Sequence, residues 1–249
     1  MIPLRRLPRE QALSPETCAE LDRLQALVNS GEMNVWKNRF SGKPHFKAVR
    51  GVLLTMSWGK CAYCEQEAIE FQIDHVWPKA RHPARSFNVD NFLPSCGPCN
   101  KIKGDLPETE LGLPAVLDPS AEDPGLCIKW GRNGWGRPRS NLSGAALRRT
   151  ERTLNALKLL EAGRPEARQR ALIDAEVALE FAEQDPIPNH IEALIESLRP
   201  NAPHRAILRQ WFHHPIITAR LAALEAAHPI LTPTLKFYRD LGPPTPSAV

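Results

Sequence analysis

The chain is 249 residues long, enough for one large domain or two modest ones with a proper hydrophobic core. Its 42% hydrophobic and 24% charged residues exclude a disordered chain, and a net charge of +4 is too small to name a partner by itself. The opening MIPLRRLPREQ has no apolar h-region and no run of about 18 apolar residues occurs, so the expectation is a cytoplasmic protein without a membrane partner.

Residues 15–30 (PETCAELDRLQALVNS) predict a helix, with Ser14 as its cap, Pro15 in the first turn, and Leu21, Leu24 and Val28 on one face. Residues 46–58 predict a second helix just before the first cysteine pair. Residues 61–104 are rich in cysteines and turns. The stretch 105–143, full of Gly, Pro, Asp and Asn, predicts irregular structure with one short strand around Cys127–Trp130. From 144 onward several segments carry apolar residues at helical spacing. That change divides the chain into a region 1–143, centred on 58–105, and a helical region 144–249. The final GPPTPSAV is expected to fray.

The charges are unevenly placed. No acidic residue occurs between Met33 and Cys64, where six are basic, and Lys129–Arg152 holds seven Lys or Arg against Glu151 alone. Two basic segments therefore flank the cysteine-rich stretch, either as solvated loops or as the walls of a polyanion site.

Cys61-Ala-Tyr-Cys64 and Cys96-Gly-Pro-Cys99 are two CxxC pairs separated by 31 residues. Two converging knuckles supply four thiolates, the tetrahedral set that Zn²⁺ prefers, and such a closed site is structural. Cys18 and Cys127 lack partners at ligand spacing and read as small buried hydrophobes.

Between the knuckles lie Asp74-His75 and Asn91, and just past the last cysteine come Asn100 and Lys103. Adjacent residues of a strand point to opposite faces, so Asp74 and His75 can flank one phosphate only at a strand end or a bulge. Asn100 and Lys103 are three apart and share a helix face. Phosphodiester hydrolysis needs a deprotonated water and a cation on the phosphate. A neutral His suits the first, and Asp and Asn oxygens suit Mg²⁺ or Mn²⁺ for the second.

The order CxxC … DH … N … CxxCNxxK resembles the zinc-containing HNH, or ββα-metal, endonucleases. The resemblance implies an α+β fold: a zinc-stapled ββα-metal core with flanking N-terminal helices and a mostly helical C-terminal region. By position, it makes His75 the general base and Asn91 the residue that holds the loop and imidazole. Asp74 and Asn100 become the Mg²⁺ or Mn²⁺ ligands, and Lys103 a point charge for the phosphate. The runs GKCAYCE, IDHVWPKA, SCGPCNKIKGD, VLDPSAEDP and TERTLNALKLLEAGR are similar to the HNH subunits of Septu-type and retron-associated anti-phage systems, over roughly residues 1–170. That similarity implies an ABC/SMC-type ATPase partner, with 144–249 as a docking platform. Two departures stand out: this subgroup commonly has Glu at the place of Asp74, and Trp-x-Asn where this chain has Val89-Asp90-Asn91.

Around the motif, Lys79, Arg81 and Lys101 are candidate phosphate contacts. Farther on, Trp130 and Trp135 interleave with Lys129, Arg132, Arg137 and Arg139, where rings and cations can grip nucleic acid or the indoles can anchor a loop. DNA is the favoured substrate, with tRNA or other RNA as alternatives, and no element for reading bases is evident. Two rival readings remain: a stand-alone restriction-like HNH nuclease, and a catalytically silent zinc module that binds nucleic acid or protein.

Overall fold

The computed structural model describes residues 1–67, 70–161 and 163–241, so the GPPTPSAV tail lies outside the described residues. A single turn, α1 (Arg9–Ala12), precedes α2 (Pro15–Asn29). The Ser14 side chain accepts from the Thr17 backbone N–H at 3.3 Å, satisfying one of the donors that a helix start leaves open. Leu21 and Leu24 of α2 are fully buried. After a π-helical turn over Trp36–Phe40, α3 spans Pro44–Met56. It begins two residues before its predicted start because Pro44 fits the first helical turn, where no N–H is required.

Next, β1 (Phe71–His75) and β2 (Phe92–Cys96) form an antiparallel pair in which Asp74 faces Leu93 and His75 faces Phe92. The short helix α4 (Gly97–Lys103) follows β2 directly, completing a β-β-α sequence of elements. The expected irregular stretch holds one strand more than predicted: β3 (Ile128–Trp130) pairs antiparallel with β4 (Gly136–Pro138). Six helices complete the described chain: α5 (Gly144–Ala156), α6 (Arg164–Gln184), α7 (Pro188–Leu198), α8 (Arg205–Phe212), α9 (Pro215–Ala227) and α10 (Thr232–Leu241). The fold is thus α+β, with mixed helices and two small sheets. Among the described residues no helix is long and apolar enough to cross a membrane.

Two cores hold these elements. One joins α2, α3 and the outer side of the β1–β2 pair through Leu21, Leu24, Phe40, Leu53, Phe87 and Phe92. The other runs from Cys61, Tyr63, Cys64 and Cys99 through Leu117, Ile128 and Leu154 into α6–α10. On α6, alanines 175, 178 and 182 let α7 approach closely, and Leu194 and Leu198 of α7 are fully buried. Arg149, one of the cations in the second basic segment, is buried here. It donates to the carbonyls of Pro114 and Val116 and to Glu122, each at 2.9 Å. Its charge pins the VLDP segment to α5.

Candidate metal centre and adjoining cleft

The first knuckle is a tight turn in which Glu65 N–H donates to the Cys61 carbonyl and Cys61 N–H to the Gln66 carbonyl, both at 3.0 Å. Cys96 caps α4 and Cys99 lies in its first turn. The four Sγ atoms lie within 4.8 Å of one another, and Cys64 and Cys96 are 3.9 Å apart. Tetrahedral zinc with Zn–S near 2.3 Å places its sulfurs roughly 3.8 Å apart, so the donor set and its size fit the ion. Four thiolates around a dication leave excess negative charge. Arg164 donates to Cys99 Sγ at 3.4 Å and offsets part of it. Cys18 and Cys127, expected to be buried, are only half-buried.

A polar cleft of about 370 Å³ adjoins this centre, lined by Trp36, Gln72, Asp74, His75, Lys79 and Asn100 among others. His75 is the last residue of β1, so strand alternation relaxes there and both members of the Asp-His pair line one cleft. The imidazole is wedged edge-on between Trp36 and Phe92, with ring centroids 4.5 and 5.2 Å away. Its Nε2 lies 3.0 Å from the Ser86 carbonyl. A carbonyl only accepts, so Nε2 carries the proton, and in a neutral ring Nδ1 keeps a free lone pair. Burial pushes the His75 pKa down to about 3, against the smaller opposing effect of the Ser86 hydrogen bond. The ring is therefore neutral at ordinary pH.

Asp74 is 3% exposed and doubly held. Tyr63 Oη donates to its Oδ2 at 2.5 Å, and Lys103 Nζ donates to its Oδ1 at 3.1 Å. Burial raises the Asp74 pKa, while the Lys103 ammonium and the Tyr63 hydroxyl oppose that rise. Lys103, expected to meet a phosphate, is 1% exposed, and its ammonium also donates to the His75 carbonyl at 2.5 Å. The ammonium is buried between these two internal acceptors and braces the Asp74 carboxylate and the His75 carbonyl. Asn91 Nδ2 donates to the carbonyls of Trp77 and Arg85 at 3.0 Å, and its Oδ1 accepts from Trp77 N–H at 2.7 Å. It clamps the loop between β1 and β2. Asn100 Nδ2 donates to Gln72 Oε1 at 2.7 Å, and among the described residues its Oδ1 has no hydrogen-bond donor.

The surrounding cations separate into groups. Lys79 lines the cleft, with its ammonium 5.9 Å from the centre of the Trp36 ring. Arg81 donates to the Asp105 carbonyl at 2.8 Å, and Lys101 is exposed on α4 outside the cleft lining. Arg132 pairs with Glu176 at 2.7 Å, and Arg139 donates to the Gly125 carbonyl at 2.6 Å. Both residues, expected as nucleic-acid contacts, thus also have partners within the chain. Lys129 and Arg137 remain exposed and in no ion pair among the described residues.

Tyr63, Gln72, Ser86 and Trp36 were not singled out from the sequence. Only Tyr63 carried a signal, as an aromatic inside a metal knuckle. The other three act through long-range pairings that no local pattern encodes.

No family model matches the chain. Over 109 residues the chain is 33% identical to Septu protein PtuB of Bacillus thuringiensis, a stretch covering 42% of this chain and 38% of that relative. The match thus spans well under half of the relative's length. The chain is similar to a Septu protein in that part, and it contains a four-cysteine cluster of metal-binding dimensions.

Proposed function

We propose that the chain is a metal-dependent endonuclease of the HNH type that hydrolyses phosphodiester bonds in nucleic acid, as the nuclease of an anti-phage defence system. The observation that carries this reading is the Nε2–Ser86 hydrogen bond, which fixes the tautomer and leaves His75 Nδ1 as a base beside an acid and an amide. In the proposed reaction Nδ1 takes a proton from a water. The water oxygen bonds to phosphorus, the bond to the leaving sugar oxygen breaks, and that oxygen takes a proton from solvent. Asp74 and Asn100 offer hard oxygen donors of the kind Mg²⁺ or Mn²⁺ takes, and each Asp74 oxygen has a second acceptor position beyond its present hydrogen bond. Such a cation, when bound, neutralises charge on the phosphate.

The defence role is supported by the similarity to Septu protein PtuB. The ABC/SMC-type ATPase partner, docking on 144–249, rests on the resemblance read from the sequence. A second reading, a zinc module without catalytic activity, is favoured by one observation. The four cysteines are the one group of three or more His, Cys, Asp and Glu side chains close enough to hold an ion among the described residues. The test offers double-stranded DNA, single-stranded DNA and tRNA side by side, with and without Mg²⁺ or Mn²⁺ and with the partner present. Cleavage that needs the added cation supports the nuclease, and none under any condition supports the silent module.

A further inference from the structure

The β3–β4 ribbon has two unlike faces. Ile128 and Trp130 point inward, and the Trp130 ring occupies the space over Gly136, where a Cβ would come within 2.5 Å of it. The Arg168 guanidinium lies 4.1 Å from the same ring and also donates to the Gly134 carbonyl at the ribbon's turn. Gly134 has φ +76° and sits against the Pro165 carbonyl so closely that any side chain would collide with it. The ribbon is therefore a rigid ledge bolted to the start of α6, unlike a free loop.

Its outward face carries Lys129 and Arg137 directly opposite each other in the ladder. Gly131 N–H donates to the Trp135 carbonyl at 2.7 Å, so the pairing continues one step and puts Trp135 on that same face, 50% exposed. Like charges opposite one another in an antiparallel pair are destabilising. Here neither cation has an ion-pair partner among the described residues, whereas Arg132 and Arg139 close by do have partners. An exposed indole costs hydration as well. Two uncompensated cations and an open ring about 6.8 Å farther along the strands are the complement of a phosphate followed by an unstacked base.

We infer that the outer face of the β3–β4 ribbon is a binding site for single-stranded nucleic acid, with Lys129 and Arg137 on a phosphate and Trp135 stacked on a base. The site rests on the reading of the chain as acting on nucleic acid and narrows its substrate to strands whose bases are unpaired. An acidic protein would need the cations but not the aromatic plane beside them.

The test is fluorescence anisotropy with a labelled single-stranded oligonucleotide and its duplex, without added divalent cation so that nothing is cut. For K129Q/R137Q the slope of log K against log salt should fall by about 0.7 with the single strand, for the one phosphate the two cations hold. For W135A, single-strand affinity should drop about five- to 150-fold with a smaller loss for the duplex. All three side chains are exposed, and circular dichroism checks that the variants keep their fold. An unchanged salt slope in K129Q/R137Q overturns the inference, including the case where that variant loses only an acidic protein partner. So does equal loss for duplex and single strand in W135A. Both predicted effects without cleavage anywhere would sink the nuclease reading and leave this site standing. Metal-dependent cleavage with an unchanged slope would do the reverse.

Discussion

At the residue scale, the organisation of the cleft depends on a few buried polar atoms whose partners come from distant parts of the chain. Tyr63 lies inside the first knuckle, yet its hydroxyl reaches Asp74, so the metal centre and the cleft share one hydrogen bond. Removing the donor leaves a buried carboxylate oxygen short of a partner, a loss of about 1–3 kcal/mol. Tyr63→Phe is therefore expected to lower the urea midpoint while zinc content stays at one ion per chain, measured by colorimetric zinc release. Equal stability would show that Asp74 does not depend on that hydroxyl. The sequence already marked Asp74, His75, Asn91 and Asn100 by their spacing, because short-range order within a β-β-α unit is written locally. It did not reveal that Lys103 turns inward. A lysine three residues after Asn100 shares its helix face on paper, but the Asp74 carboxylate and the His75 carbonyl draw it beneath the cleft.

At the element scale, the four cysteines bring the turn ahead of β1 together with the junction of β2 and α4. A structural zinc held by these four thiolates would add binding free energy on the order of 10 kcal/mol or more to folding. Cys61, Cys64 and Cys99 also sit in the larger core, against helices near the C-terminus. Chelating the zinc is thus expected to loosen more than the knuckles. Hydrogen exchange should quicken across 61–103 and also in α6, whose Arg164 contacts Cys99. Exchange confined to 61–103 would mean that the second core stands without the metal. Of the helices of this core, α5, α6, α7 and α9 were legible from their 3.6-residue periodicity, whereas α8 and α10 were not. The β3–β4 ribbon was half legible: Ile128–Trp130 showed strand alternation, but Gly136–Pro138 contains a glycine and a proline and reads as loop. It becomes a strand because only a glycine fits beneath Trp130.

At the scale of the whole molecule, buried titratable groups tie stability to pH. His204 is 5% exposed, and its Nδ1 has no hydrogen-bond partner among the described residues. Burial lowers its pKa to about 4, with Arg168, the Met1 ammonium and Lys60 adding to the effect and Glu65 opposing it. The folded state therefore refuses a proton that the unfolded chain takes up below about 6.5. Stability is complete above that value and is lost as pH falls toward 4, by about 2 kcal/mol between pH 7.5 and pH 5 for this group. His204 has φ +53°, which Asn tolerates, so His204→Asn should lose less stability over that interval than the parent in urea titrations. Parallel losses would place the acid sensitivity elsewhere. One measurement tests most directly the proposed division between a metal that shapes the fold and a base that does the chemistry. His75→Ala and the parent are compared in single-turnover cleavage with Mg²⁺ or Mn²⁺ and the partner present, with zinc content and circular dichroism recorded on the same samples. The account predicts at least about a hundredfold loss of cleavage with unchanged zinc and fold. Undiminished cleavage by His75→Ala would contradict it.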